Sequence, residues 1–149
     1  MAWLALRAPA LYKDSDWQLP KHQLQRRQNL VSYRQQRIAP EDNRALAACA
    51  AFRGDVLLVE SEHDRIVPHP VLGNYRNACI DALSVTYRKI LHADHALSDE
   101  RSRSSYISIL VHWLEEMMLG ARGHLRSKTS MVPDSAGPVH SSSRPKPGA

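Results

Sequence analysis

The segment from Gly54 to Asp99 constrains the fold most, because it alternates between strand-like and helix-like patterns. Residues 56–59 (VLLV) form an unbroken apolar run, which is typical of a strand buried on both faces. Residues 70–82 carry apolar side chains at helical spacing, and residues 85–91 are rich in residues that favour strands. A strand, a helix and a strand of these lengths predict a βαβ unit with two parallel neighbouring strands and a right-handed crossover. The fold class is therefore α/β.

Ionisable side chains follow each of the two strands closely. The first strand is followed by Glu62, His63 and Asp64, and the second by His92, Asp94 and His95. Ligands of open parallel sheets bind outside the carboxyl ends of the strands, so we expect both groups at that edge. A carboxylate on one loop can accept a ring N–H from a histidine on the next, leaving the other ring nitrogen as a general base.

Two segments resemble the last two strand–loop segments of α/β-hydrolases: GDVLLVESEHDRIVP and LHADHALSD. In that family a D-x-x-V-P segment carries the triad acid, and a histidine in G/A-x-H after the final strand is the base. The resemblance assigns Asp64 as the catalytic acid and His95 as the catalytic base, in the family's chain order. It implies the C-terminal part of an α/β-hydrolase-like parallel sheet over residues 1–119. It also implies serine-dependent hydrolysis of a small-molecule ester or acyl substrate by the complete form.

The nucleophile of that family has no counterpart in the sequence. No G-x-S-x-G occurs, and Ser15, Ser32 and Ser61, which precede Asp64, lack flanking glycines. We therefore expect a truncated fragment that is inactive alone; if it were active, Ser61 or a serine of a second subunit would be the candidate nucleophile. The alternative is a non-catalytic remnant, or an interaction module that pairs through an open sheet edge. Such a module would pair with a partner or with a second copy of the chain, which would give a homo-oligomer.

The flanking segments complete the predicted architecture. Residues 3–6 read as a short strand, and residues 10–39 as a small cap-like excursion with one or two helices between residues 21 and 37. Inward positions in it are Leu24, Leu30, Val31 and Ile38. Its aromatic residues would line a substrate channel or, as the favoured interpretation, anchor packing: Tyr12, Trp17 and Tyr33.

Two stronger helices follow in the prediction. One covers residues 40–52, with Pro40 in its first turn and Gly54 as its terminator. The other covers residues 98–120, with Ser98 as N-cap and Gly120 at its end. Residues 120–149 are rich in Ser, Pro and Gly and are predicted to be a disordered tail.

Composition adds mainly exclusions. The net charge of +5 is spread along the chain without a recognition motif, so we expect no nucleic-acid partner; a basic adaptor for anionic partners is the weakest alternative. Cys49 and Cys79 fall on helix faces and indicate buried free thiols in a reducing, cytoplasmic compartment. The sequence contains no apolar run of about 18 residues, so we expect no membrane span. The H-x-D-H loop at residues 92–95 supplies too few convergent ligands, so no metal and no cofactor are expected.

Overall fold

The computed structural model describes residues 1–15, 17–27 and 29–129, with side chains described outside 25–27 and 122–129. The first half of the elements comprises β1 (Trp3–Arg7), α1 (Lys21–Arg27), α2 (Leu30–Tyr33), a 3₁₀ turn (Pro40–Asp42) and α3 (Arg44–Ala50). The second half comprises β2 (Asp55–Ser61), α4 (His69–Ala78), β3 (Ser84–Ile90) and α5 (Glu100–Thr129). The predicted succession of strands and helices is confirmed, including two helices between residues 21 and 37.

The three strands form one parallel sheet in the order β1-β2-β3. Leu58 at the centre of β2 lies opposite Leu6 of β1 and Tyr87 of β3. The predicted βαβ unit is therefore present as β2-α4-β3, with β2 in the middle of the sheet. All three strands point the same way, so the loops that follow them leave the sheet at one edge.

The apolar run of β2 is explained by helices on both faces of the sheet. Val56 and Leu58 join a core with residues of α3 and α4, including Leu46, Cys49, Val71, Leu72 and Tyr75. Leu57 and Val59 face the other side, where they pack with Ile90 of β3, Leu97 of the loop before α5 and Trp113 of α5. Each of the four β2 side chains is at most 1% exposed. Burial on this scale contributes about 1.5–3 kcal/mol per side chain, which places β2 at the stable centre of the fold.

Helix α3 begins later than the sequence predicts. Pro40 starts the 3₁₀ turn, and the α-helix begins at Arg44 because the side chain of Asn43 accepts hydrogen bonds from the N–H groups of Ala45 and Leu46. An asparagine in this position is a strong N-cap. Gly54 does not terminate α3, which ends at Ala50. A Cβ at Gly54 would lie 2.1 Å from the carbonyl oxygen of Ala2, so this glycine instead permits the close approach of β1 and β2.

Helix α5 differs from its prediction at both ends. Asp99 rather than Ser98 precedes the first helical residue, and its Oδ1 accepts from the N–H of Ser102 at 2.9 Å. The helix continues through Gly120 to Thr129, so the predicted end of the helix at Gly120 is wrong. A glycine inside a helix is about 1 kcal/mol less favourable than an alanine. This cost is too small to end a helix whose earlier turns pack against the sheet. Residues 130–149 of the predicted tail lie outside the described residues.

The segment at residues 10–39 packs against the α3–α4 side of the sheet. Leu24 and Leu30 are buried and Ile38 packs on the core, as predicted, whereas Val31 is 80% exposed and was wrongly placed inward. Tyr12 lies under Arg34 and Tyr33 is bonded to Asn43, contacts typical of packing anchors, whereas Trp17 lies under Arg44 but is 58% exposed. The predicted burial of Cys49 and Cys79 as free thiols is confirmed.

Candidate functional site: a carboxylate–histidine pair at the ends of two strands

The loops after β2 and β3 are joined by backbone hydrogen bonds. The N–H of Glu62 donates to the carbonyl of Ile90 at 3.1 Å, and the N–H of His63 donates to the carbonyl of Ala93 at 2.9 Å. These two bonds, called the loop clamp below, extend the β2–β3 pairing beyond the strands themselves. The ionisable residues that follow both strands are therefore held side by side, as the sequence predicts.

Asp64 is oriented by the turn that it forms with the residues after it. Its Oδ1 accepts hydrogen bonds from the N–H groups of Ile66 and Val67, both at 2.8 Å. This is the local side chain-to-backbone bonding that Asp favours in turns. The side chain is only 2% exposed, and its second oxygen, Oδ2, is directed toward the next loop.

His95 completes the pair. Its Nδ1 lies 2.8 Å from Oδ2 of Asp64, and its side chain is 37% exposed. An ionised carboxylate only accepts hydrogen bonds, so Nδ1 carries the proton and Nε2 holds the free lone pair. Within the described part of the chain, Nε2 has no hydrogen-bond partner. The arrangement can hold an imidazole in one tautomer, present a base to solvent, and stabilise the imidazolium when that base takes a proton.

Arg7 supports the histidine loop from the end of β1. Both terminal nitrogens of its guanidinium group donate to the carbonyl oxygen of His95 at 3.0 Å. The guanidinium also lies over the ring of Tyr106 on α5, 5.6 Å from its centroid. Sequence reasoning did not identify Arg7; a charged residue ending an otherwise apolar strand was the available signal. All three strands thus contribute to fixing His95.

Arg34 supports the aspartate loop from the segment at residues 10–39. This largely buried guanidinium donates to the carbonyl of Leu11 at 3.1 Å and to that of Ile66 at 3.0 Å. Since Ile66 also donates to Asp64, the predicted cap-like segment is tied directly to the turn that orients the carboxylate. Both hydrogen bonds of Arg34 go to backbone carbonyls, so its role here is structural.

Asp94 takes a different role from Asp64. Its carboxylate accepts from the backbone N–H of Ser98 at 2.9 Å and from the hydroxyl of Ser98 at 2.6 Å. These bonds, led by the Ser98 hydroxyl, hold the pKa of Asp94 below its usual value. The side chain therefore fixes the turn leading into α5 and takes no part in the pair.

Glu62, His63 and His92 form a second group at the same edge. Oε2 of Glu62 accepts from the backbone N–H of His92 at 2.7 Å, and this bond is the main reason why the pKa of Glu62 is lowered. The same oxygen lies 3.8 Å from Nε2 of His63 and 3.5 Å from Nδ1 of His92. The sequence placed these residues near one another but did not predict that their side chains converge.

A buried glutamate, Glu60, accepts hydrogen bonds from Tyr87 and His69 and forms an ion pair with Lys89. Burial alone raises the pKa of this carboxyl group, but donation by the three partners outweighs burial and leaves its pKa below the usual value. With a side chain 3% exposed, it is an internal ionised group that is fully partnered. It joins β2, β3 and α4 below the loops and is not open to a ligand.

Ser61 does not have the properties of a nucleophile. It is 2% exposed, and its hydroxyl has no hydrogen-bond partner in the described part of the chain. A nucleophilic serine requires both an adjacent base and access to the substrate. The structure thus argues against the serine that the sequence offered as the candidate within this chain.

A groove beside β3 does not include the pair among its lining residues. It encloses about 980 Å³ between the end of β3 and the first turns of α5, where His92, Asp99, Arg101 and Ser105 are among the lining residues. Asp64 and His95 lie outside this groove. Of the pair, the side chain of His95 is 37% exposed and that of Asp64 only 2%.

Comparison with protein-family models and with curated proteins gives no match for this chain. Within the described residues, no helix is both long enough and apolar enough to cross a membrane. The class of protein that fold and site define is an α/β protein with a three-stranded parallel sheet and a carboxylate–histidine pair at its carboxyl edge.

Proposed function

We propose that Asp64 and His95 are the acid and the base of an α/β-hydrolase-type catalytic triad. The observation that carries this proposal is the 2.8 Å contact between Asp64 Oδ2 and His95 Nδ1, made between loops that follow adjacent parallel strands. The pair has the required polarity: the carboxylate is buried and fixed, and the opposite ring nitrogen is accessible. The chemistry that it supports is hydrolysis of ester-type acyl substrates.

In the proposed reaction, Nε2 of His95 takes the proton from a serine hydroxyl as that oxygen attacks the substrate carbonyl. Asp64 remains ionised and stabilises the imidazolium, which then donates its proton to the leaving alcohol or thiol. Water subsequently hydrolyses the acyl-enzyme with His95 again acting as the base. The proposal assigns no nucleophile within the chain, because the sequence has no G-x-S-x-G and Ser61 is buried.

The experiment is the slow hydrolysis of p-nitrophenyl acetate that accessible imidazoles catalyse, measured on the purified 149-residue chain. Without a serine nucleophile, turnover at enzymatic rates is not expected. An imidazole supported by a buried carboxylate should nevertheless contribute more than an ordinary surface histidine. We expect His95→Ala to lower the rate by about tenfold or more, and Asp64→Asn to lower it nearly as far.

His112→Ala is the matched control, because His112 is an exposed histidine on α5 whose hydrogen bonds, among the described residues, go only to Ser108. It should remove one ordinary imidazole's share of the rate. Equal, small losses for His95→Ala and His112→Ala would overturn the proposal, since His95 would then have no catalytic advantage.

A non-catalytic interaction module is the second candidate function. It is favoured by β1, which pairs on one side only within the described residues and exposes 38% of Trp3. Such a strand edge can template pairing with a second chain. Sedimentation velocity over a range of concentrations tests this candidate: self-association that Ala5→Lys abolishes would support edge pairing, and a concentration-independent monomer would exclude self-pairing.

A further inference from the structure

Three exposed side chains outside the acid–base pair converge on one point. Glu62 and His63 follow β2, and His92 follows β3. Their potential donor atoms, one from each side chain, all lie within 4.8 Å of one another. The two imidazole rings face each other obliquely, with centroids 5.7 Å apart and planes at 57°.

Two of the three donor–donor separations, those that involve Glu62, are close to those of a coordination sphere, and the third is within 4.8 Å. In a tetrahedral zinc site with ligand bonds of 2.0–2.1 Å, neighbouring donor atoms are about 3.4 Å apart. Oε2 of Glu62 lies 3.5 Å from Nδ1 of His92 and 3.8 Å from Nε2 of His63. Closing these gaps requires shifts of only about 0.1 and 0.4 Å, which ordinary side-chain rotation supplies.

The backbone beneath the three ligands is fixed before any ion binds. In the loop clamp, the N–H groups of Glu62 and His63 donate to the carbonyls of Ile90 and Ala93, which lie two residues before and one residue after His92. His92 itself adopts a left-handed conformation, with φ of 60°, and its N–H is bonded to Glu62. Such a conformation is uncommon for a non-glycine residue, and here it directs the imidazole toward the other two side chains.

We propose that Glu62, His63 and His92 bind a divalent transition-metal ion of the zinc class. Two imidazole nitrogens and one carboxylate oxygen form a donor set that suits such an ion, and three protein ligands leave a coordination position for water. Exposure favours binding in this case, because the ion can enter directly from solvent. The site is separate from the acid–base pair and does not depend on the proposed hydrolase function.

Neighbouring ionisable residues do not belong to this site. Asp94 is engaged with Ser98, and Nδ1 of His95 is engaged with Asp64. Only His92 of the H-x-D-H loop is a ligand in this proposal. From the sequence alone, we considered that loop as a metal site and rejected it. The proposal differs from the sequence-based expectation of no metal. That expectation considered only the loop at residues 92–95, whereas Glu62 and His63 come from the loop after β2.

The experiment is a Zn²⁺ titration of the full chain in competition with a chromophoric chelator, together with the visible spectrum of the Co²⁺ form. We expect one ion per chain at the site, with intense Co²⁺ absorption typical of four-coordinate geometry. His63→Ala and His92→Asn should each weaken Zn²⁺ binding by about tenfold or more. Asparagine is chosen at position 92 because it tolerates a left-handed backbone.

His112→Ala and His95→Ala are the matched controls, and both should retain Zn²⁺ affinity and the Co²⁺ spectrum. Circular dichroism of each variant establishes that it is folded before its affinity is interpreted. Zn²⁺ binding that is undetectable, or that is unchanged in both His63→Ala and His92→Asn, would overturn the proposal. Because the readout is metal binding, its failure leaves the ester-hydrolysis result untouched, and the reverse also holds.

Discussion

The carboxylate of Asp64 has a structural role and a role toward His95, and two substitutions separate them. Asp64→Ala removes the carboxylate that accepts three hydrogen bonds, from Ile66, Val67 and His95. The N–H of Val67 then loses its partner in a largely buried position, which costs about 1–3 kcal/mol, whereas the N–H of Ile66 is near solvent and is partly compensated by water. The lost bond to the half-exposed His95 adds about 1 kcal/mol. We expect the free energy of unfolding to fall by about 2–4 kcal/mol.

Asp64→Asn should cost less and should change the chemistry of His95. One amide oxygen can still accept from Ile66 and Val67, so the turn is kept. The NH₂ group must then face Nδ1 of His95, because the opposite orientation would place it against two backbone N–H donors. Nδ1 becomes an acceptor and the proton moves to Nε2, which removes the free lone pair. The stability loss should be about 1–2 kcal/mol, the difference between a charged and a neutral acceptor.

The assay combines urea denaturation at pH 7 with nitrogen NMR of the imidazole of His95. In its neutral form, the imidazole of the wild type should carry its proton on Nδ1, and that of Asp64→Asn should carry it on Nε2. Asp94→Asn is the control, because Asp94 contacts Ser98 and should leave the tautomer unchanged. Equal unfolding free energies for Asp64→Ala and Asp64→Asn, or one tautomer in all variants, would refute this account of the site.

Three further predictions concern Arg7, Asp99 and Cys79. Arg7→Lys replaces two donors to the carbonyl of His95 by one flexible ammonium, so amide hydrogen exchange of the loop at residues 91–95 should accelerate while that of β2 does not. Donation by Ser102 lowers the pKa of Asp99 in the folded chain; its stabilising effect is therefore present above the unfolded pKa and lost as pH falls through the folded one. Circular dichroism melts from pH 7 to pH 3 should show this loss, and Asp99→Asn should reduce it. Burial and the neighbouring Cys49 raise the pKa of Cys79 to about 11, so about one molecule in a thousand carries the thiolate at pH 8. A thiol reagent should therefore react slowly with Cys79 until urea unfolds the chain. Rapid labelling of the native chain would contradict this.

The strands and the proximity of Asp64 and His95 could be predicted from the sequence because both follow from local patterns along the chain. The apolar run of β2 reports burial on both faces, and the parallel βαβ unit brings the two strand ends together without further information. Asp64 and His95 each come shortly after a strand, so their approximate positions follow from strand order alone. That their side chains meet at 2.8 Å required the turn at Ile66 and Val67, which the sequence only suggests.

The remaining contacts could not be predicted because they depend on side-chain directions between distant segments. Arg7 and Arg34 each reach a backbone carbonyl in another loop, and carbonyl groups leave no signature in a sequence. Two residues are compatible with the start of α3, because both Pro40 and Asn43 are favoured near a helix N-terminus. Asn43 prevailed because its side chain also donates to the carbonyl of Tyr12, a tertiary contact outside the helix.

The loop clamp explains how one sheet edge can hold both proposed sites without merging them. Glu62 and His63 donate their backbone N–H groups to the clamp, which leaves their side chains free to converge on His92. The next residue, Asp64, turns its carboxylate into the protein through its bonds to the following backbone, and so reaches His95 instead. The two sets share a backbone frame but no side chain. A change that breaks the clamp should therefore impair both sites together, whereas His95→Ala and His63→Ala should each impair one.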